Sequence, residues 1–180
     1  MIRSVCVFCG SNAGNDPRFA DAAREFGALL AKEGIALVYG GGHVGLMGII
    51  ADAVLANGGK AIGVIPRALW DREVGHRGLT ELHIVETMHE RKALMASVAD
   101  AFVALPGGLG TLEEIFEVWT WAQLGIHAKP LGFLDVAGFY APLLEHLDRS
   151  VDAGFIRVQY RAMAIVDTDP VTLLDRLIRR

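Results

Sequence analysis

The sequence predicts an α/β fold, a doubly wound parallel sheet with helices on both faces. Short apolar runs alternate with stretches of helical periodicity along the chain, the signature of strand–helix–strand crossovers. No linker, low-complexity stretch or internal repeat interrupts that alternation. At 180 residues and 52% hydrophobic content, the chain reads as one domain spanning 1–180 with a full core.

Taken in order, Ser4–Cys9 is the first strand-like run and Pro17–Lys32 the first helix. Ala36–Tyr39 leads through a glycine-rich loop into helix Gly45–Ala56, and Ala61–Ile65 and Leu82–Val85 are the next strands. Helix Met88–Val98 starts at Thr87-Met88-His89-Glu90, a capping box that satisfies the free N–H groups of a first turn. Strand Ala101–Leu105 precedes helix Leu112–Leu124, strand Pro130–Leu134 precedes helix Tyr140–Ala153, and strand Ala164–Val166 precedes helix Pro170–Arg179. Three loops leave carboxyl ends of strands, where such sheets bind ligands: Gly40–Gly45, Thr87–Lys92 and Pro106–Thr111.

A formal net charge of −4 argues against general affinity for nucleic acid or an anionic membrane. No apolar run approaches the roughly 20 residues that span a bilayer. The opening segment reads as a strand, not a secretion signal, because its apolar stretch is short and no small-residue cleavage site follows. A cytoplasmic location is expected. Cys6 and Cys9 have C-x-x-C spacing, but a redox pair wants its first thiol at a helix N-terminus. Three apart on a strand, the two sulfurs should face opposite sides of the sheet, buried, reduced and without chemistry. No Asp, Glu and His cluster stands at ligand spacing, so no metal is expected.

Gly40-Gly41-Gly42-His43-Val44-Gly45 satisfies G-x-G-x-x-G between a strand and a helix, a weak signal alone. A dinucleotide also needs an acid about 20 residues on to hold its ribose, and here the next strand ends in Pro66-Arg67. That disfavours an NAD(P)-dependent oxidoreductase. Gly41 and Gly42 then serve either the tight turn itself or a smaller nucleotide.

The loop Pro106-Gly107-Gly108-Leu109-Gly110-Thr111 carries more. Its glycines let the backbone approach a ligand, and the helix start behind them favours a phosphate. Thr111-Leu112-Glu113-Glu114 also fits a capping box, with Thr111 as N-cap. A cap, however, does not require Pro-Gly-Gly-x-Gly before it, and one carboxylate cannot both reach back to its own N-cap and serve a ligand. Glu114 is read as part of the site. Arg91 and Lys92 fall in the first turn of their helix, where a cation costs about 0.3–1 kcal/mol. A nearby anion, a phosphate or Glu114, would offset that cost; the bland alternative is a pair of solvated surface charges.

Met88-His89-Glu90-Arg91-Lys92 together with Pro106-Gly107-Gly108-Leu109-Gly110-Thr111-Leu112-Glu113-Glu114 resembles the paired signature of the Lonely Guy (LOG) family of phosphoribohydrolases. The resemblance extends from Val7-Phe8-Cys9-Gly10-Ser11 through Tyr39-Gly40-Gly41-Gly42 and Gly45-Leu46-Met47-Gly48 to Thr120-Trp121-Ala122-Gln123-Leu124-Gly125. It implies a Rossmann-like fold, a homodimer with its site near the interface, no cofactor, and hydrolysis of the N-glycosidic bond of a nucleoside 5′-monophosphate. In plant members the substrate is an N6-modified adenosine monophosphate and the products are free cytokinin and ribose 5-phosphate. The resemblance assigns catalysis to Arg91 and Glu114. It places substrate contacts at Glu73, Met88, Arg91, Lys92, Gly41, Gly42, Gly107, Gly108, Leu109, Gly110, Thr111, Leu112, Glu113, Glu114 and Thr120. Family members have often been labelled lysine decarboxylases. This chain is short for a two-domain pyridoxal-phosphate scaffold, and nothing marks Lys32, Lys60, Lys92 or Lys129 as a Schiff-base residue.

Cleaving the bond between ribose and base builds positive charge on the sugar. A carboxylate beside the anomeric carbon stabilises that charge and can orient or deprotonate the attacking water. Glu114 would do this while the glycine loop and Thr111 hold the 5′-phosphate. A guanidinium stays protonated, so Arg91 would anchor an anion and keep Glu114 ionised by proximity. The group that protonates the departing base is not marked. His89 and His43 lie in the site loops, whereas His76, His83, His127 and His146 have no evident role. Helix Leu112–Leu124 carries apolar residues around its circumference and should be buried on nearly all sides, with a partner subunit supplying the second cover. The rival reading is a nucleotide- or molybdenum-cofactor-binding carrier on the same fold. It would need the glycine loops but not the Arg91 and Glu114 pair.

Overall fold

The computed structural model describes residues 1–70 and 75–180. Seven strands are β1 (Ser4–Phe8), β2 (Ala36–Tyr39), β3 (Ala61–Pro66), β4 (Glu81–Val85), β5 (Ala101–Ala104), β6 (Leu131–Leu134) and β7 (Ala164–Asp167). They form one sheet in the order β4-β3-β2-β1-β5-β6-β7, and every neighbouring pair is parallel. The helices are α1 (Pro17–Lys32), α2 (Gly45–Ala56), α3 (Arg67–Trp70), α4 (Met88–Val98), α5 (Leu109–Gln123), α6 (Ala141–Asp152), α7 (Val158–Arg161) and α8 (Pro170–Ile178), with a 3₁₀ turn at Val136–Gly138.

Alternation along the strands sorts the core into two halves. Val5, Val7 and Cys9 join one cluster, with Phe26 and Leu30 of α1, Ile50 and Val54 of α2, and Leu173 and Leu177 of α8. Cys6 and Phe8 join the other, with Met95 of α4, Ile115 and Trp119 of α5, and Leu147 of α6. The two cysteines therefore lie on opposite faces of the sheet, both buried and free. Burial pushes both thiols well above their ordinary value, which makes thiolate chemistry unfavourable.

Local chemistry sets the helix starts. Asp16 and Asp169 cap α1 and α8, accepting from the backbone N–H of Arg18 at 2.9 Å and of Thr172 at 2.7 Å. Each is followed by proline at the first helical position, where the missing N–H costs nothing. Thr87 caps α4 as expected, accepting from Glu90 N at 3.1 Å. Helix α5 departs from expectation. It starts at Leu109, a turn earlier than Leu112, with Gly108 as an extended N-cap that offers no side-chain bond. Thr111 consequently sits inside the helix and the Thr111/Glu114 capping box does not form. Short α3, α7 and the 3₁₀ turn carry too few residues to show periodicity.

Around β1 the winding reverses. Strands β2, β3 and β4 lie to one side and β5, β6 and β7 to the other. The crevice between the carboxyl ends of β1 and β5 is the topological switch point, where this class of sheet receives ligands. Helix α5 rises from that crevice but packs by one face only. Ile115, Val118 and Trp119 point inward, while Leu109 and Leu124 are 87% and 66% exposed. The expected burial on nearly all sides is not met within one chain, because no element of the described residues covers the outer face.

Candidate active site

Two helices bring together side chains that the sequence separates. Arg91 stands one turn into α4 and Glu114 lies in the second turn of α5. Arg91 Nη2 lies 4.0 Å from Glu114 Oε1, with both side chains nearly buried. Arg91 Nη2 also donates to the carbonyl of Gly40 at 3.3 Å, and Nη1 faces Met88 Sδ at 3.7 Å. Its Nε is buried and has no partner among the described residues. A Cβ at Gly40 would overlap the guanidinium, so glycine there is what lets Arg91 lie across the end of β2.

Burial raises the pKa of Glu114. Arg91 and Lys92 oppose the rise, while Glu113 and Glu117 add to it. Arg91 thus favours the ionised form of Glu114, as expected, while loss of water acts against it and is the larger influence. Lys92 is not a free surface charge either. Its Nζ donates to Glu113 Oε1 at 2.5 Å and to Glu117 Oε1 at 3.1 Å, and the bond to Glu113 is the main cause of a raised lysine pKa. The anion beside Lys92 is the protein's own. Glu117 Oε2 is buried and unpartnered among the described residues.

The start of α5 supplies the second half of the site. Leu112 N donates to Gly108 O at 3.2 Å, the first bond of the helix. The N–H groups of Leu109, Gly110 and Thr111 precede it and have no intrahelical acceptor. A Cβ built at Gly108 or Gly110 meets nothing within 4 Å, and neither residue has a positive φ. Nothing in the chain's own packing calls for glycine at these two positions; the space in front of them is clear. Gly107 differs, since a Cβ there would overlap the buried Thr111 hydroxyl. A bond of 3.0 Å from Gly10 N to Pro106 O ties the loop to the end of β1.

The remaining candidates divide. Glu73 lies outside the described residues. Gly41 and Gly42 are buried under the segment that follows: Gly41 O accepts from His76 N at 3.1 Å, and Gly42 bridges Gly75. With φ of 73° at Gly41 and 59° at Gly45, the turn requirement accounts for this loop. Met88 is half exposed beside Arg91, Leu112 is half buried and Glu113 is exposed. Thr120 is exposed and stands about 9 Å along the helix axis from Glu114, given a rise of ~1.5 Å per residue. It is not brought to the Arg91 and Glu114 pair.

Sequence spacing gave no sign of two further features. His43, Asp52 and His76 converge so that one ligand atom from each lies within 4.8 Å of the others. His76 Nδ1 accepts from Gly78 N at 3.1 Å and Nε2 faces Asp52 Oδ1 at 2.8 Å. An acceptor at Nδ1 puts the ring proton on Nε2, where it donates to Asp52, so His76 and Asp52 strap the loop to α2. The second feature is a cavity of about 290 Å³ between the loops after β1 and β5, walled by Phe19, Leu46 and Phe139. Its walls come from α1, α2 and the 3₁₀ turn, and only the fold assembles them.

The sequence model of a family described as "Possible lysine decarboxylase" matches residues 47–177. A probable cytokinin riboside 5′-monophosphate phosphoribohydrolase of Oryza sativa subsp. japonica is 54% identical over 161 residues, 89% of this chain and 72% of its own length. A cytokinin riboside 5′-monophosphate phosphoribohydrolase of Arabidopsis thaliana is 50% identical over 175 residues, 97% of this chain and 82% of its own. Among solved structures, the molybdenum cofactor carrier protein of Chlamydomonas reinhardtii superposes with a TM-score of 0.73 over the whole of both chains at 21% identity. The molybdenum cofactor binding protein of Rippkaea orientalis gives 0.72 at 20% identity, over 99% of this chain and 96% of that one. At such identity the two structures speak for the fold alone.

Proposed function

The chain belongs to the Lonely Guy (LOG) family of cytokinin riboside 5′-monophosphate phosphoribohydrolases, and we propose that its Arg91 and Glu114 pair cleaves an N6-modified adenosine 5′-monophosphate. The activity is that of a nucleoside 5′-monophosphate phosphoribohydrolase, an N-glycosidase that yields free base and ribose 5-phosphate. The observation that carries the residue assignment is the meeting of Arg91 and Glu114 at 4.0 Å, beside a helix start kept clear at Gly108 and Gly110.

The 5′-phosphate is held by the N–H groups of Leu109, Gly110 and Thr111 at the positive end of α5. That places the ribose over Glu114, whose carboxylate faces the positive charge that develops as the C1′–N bond breaks. Water adds to C1′, giving one proton up to Glu114 or to solvent, and the base leaves with a proton. Arg91, held by Gly40 O, counters the desolvation that raises the Glu114 pKa. Lys92, with Glu113 and Glu117, sets the rim, and Met88, Leu112, Glu73 and Thr120 are the outer candidates for contact. Gly107, Gly41 and Gly42 shape the loops beneath.

The family description's lysine decarboxylation finds no support in the site. An amine that forms a Schiff base needs a lowered pKa, whereas the Lys92 pKa is raised by its carboxylate partners. We further propose a single domain over 1–180, acting as a homodimer in the cytoplasm without nucleic acid as partner. Two buried free cysteines fit a reducing compartment, and no helix among the described residues is long and apolar enough to cross a membrane. Incubation with adenosine 5′-monophosphate and its N6-isopentenyl derivative tests the function. Free base and ribose 5-phosphate in equal amounts are expected; intact nucleotide after prolonged incubation contradicts it.

A further inference from the structure

We propose that Glu117 is a positioning residue for the hydrolysis: it holds Lys92 away from Glu114, so that the carboxylate meets the sugar with no cation hydrogen-bonded to it. The proposal rests on the hydrolase reading above and adds a second acidic residue of α5 to it. Five charged side chains meet between two helices, Arg91 and Lys92 from α4 and Glu113, Glu114 and Glu117 from α5. Both cations stop short of Glu114. Arg91 Nη2 lies 4.0 Å from it and donates to Gly40 O instead. Lys92 Nζ has three N–H donors and directs two of them to Glu113 and Glu117, at 2.5 and 3.1 Å.

Helix geometry makes Glu117 the pivot of this cluster. Residues three and four apart are neighbours on a helix surface, and Glu117 follows Glu114 by three and Glu113 by four. It borders both. Lys92 lies on the Glu113 side, and a small swing past Glu117 would close an ion pair with Glu114. Glu113 is 53% exposed, so water screens its hold on the lysine. Glu117 is only 26% exposed, and its Oε2 is buried and unpartnered among the described residues. An interior carboxylate oxygen without a donor is unfavourable, and packing gives no reason to keep it there. Among the described residues, the polar bond this side chain makes is the one from Lys92 to its other oxygen.

The consequence is electrostatic. A carboxylate already hydrogen-bonded to an ammonium group is stabilised before the reaction begins, and only stabilisation gained in the transition state speeds the reaction. Facing Glu114 are Arg91 and Lys92 from α4, Glu113 and Glu117 from α5, and the buried Cys6 and Cys9 thiols on and just after β1. The thiols are neutral, because burial raises their pKa. The two cations and the two neighbouring carboxylates cancel in charge. Burial is then the largest influence on the Glu114 pKa, raising it, with Arg91 next and opposed.

The test is the acid limb of kcat/KM for adenosine 5′-monophosphate and its N6-isopentenyl derivative. It is measured in wild type, Glu117→Gln, Glu117→Asp, Lys92→Met and the double variant Lys92→Met with Glu117→Gln, each checked for folding by circular dichroism. Glu117→Gln should move the limb to lower pH by about 1 unit as Lys92 closes on Glu114. Its kcat should fall about tenfold, the rate equivalent of that unit. Glu117→Asp keeps the charge and should stay nearer wild type. With Lys92→Met in place, adding Glu117→Gln should shift the limb far less, because no lysine remains to move. An equal shift in both backgrounds means that Glu117 acts through its charge alone, and overturns the proposal. A loss of activity with the limb unmoved marks a merely structural role and overturns it too, as does wild-type behaviour of Glu117→Gln; all three leave the hydrolase reading intact. Failure of wild type to cleave either nucleotide removes that reading, and the role of Glu117 with it.

Discussion

Glu114 is placed where folding would not choose to put a charge. Burial raises its pKa above the ordinary carboxylate value, so between that value and the raised one the native state holds a proton that the unfolded chain has lost. Stability is then greatest below the ordinary value, about 4.3, and falls as pH rises through the raised one. Glu114→Gln, which cannot ionise, should therefore melt higher than wild type at neutral pH, and the gap should close as pH drops below about 4. Parallel melting curves across pH would contradict this. The same raised pKa should appear as an acid limb of kcat/KM lying above the usual carboxylate range. Gly40 carries a second prediction. A methyl group there displaces the Arg91 guanidinium, so Gly40→Ala should lower kcat/KM by about 10²-fold, the cost of a misplacement near 1 Å. Its circular dichroism should match wild type. Unchanged kinetics would detach Arg91 from the reaction.

At the scale of one element, α5 trades stability for access. Gly110 lies in its first turn with open space around it, and alanine is a better helix former by as much as about 1 kcal/mol. Gly110→Ala should leave the melting temperature unchanged or slightly raised, yet increase KM for the nucleotide by crowding the phosphate. A KM equal to wild type would mean that the clear space is not used. This helix also shows what the sequence could and could not reveal. Thr87-Met88-His89-Glu90 located the start of α4 because the threonine does cap it. Thr111-Leu112-Glu113-Glu114 has the same pattern and misplaced the start of α5 by a turn, because Gly108 can cap without a side chain and motif matching has no view of that. Cys6 and Cys9 were assignable to opposite faces from strand alternation alone. By contrast, the pairing of Phe19 with Phe139 and of His76 with Asp52 depends on which loops the sheet order brings together, and no local pattern encodes it.

For the whole molecule, the sheet order places the glycine loop, Arg91 and the aromatic cavity around the carboxyl ends of β1, β2 and β5. Two apolar side chains at the end of α5 and in the turn after it are open to solvent: Leu124 is 66% and Ile126 65% exposed. Exposed apolar side chains of this kind suit an interface, and a second copy covering them is the proposed homodimer. Sedimentation at micromolar concentration should give about twice 19.4 kDa, and Leu124→Asp with Ile126→Asp should return the 19.4 kDa species. A wild-type monomer would contradict the dimer.

The account stands on one carboxylate acting where the sugar becomes positive, and turnover by Glu114→Gln reads that directly. With adenosine 5′-monophosphate or its N6-isopentenyl derivative as substrate, kcat should fall by about 10²–10⁴-fold while the folded structure and the binding of the nucleotide persist. Turnover close to wild type in a folded Glu114→Gln protein would contradict the account and leave the Arg91 and Glu114 meeting a structural contact.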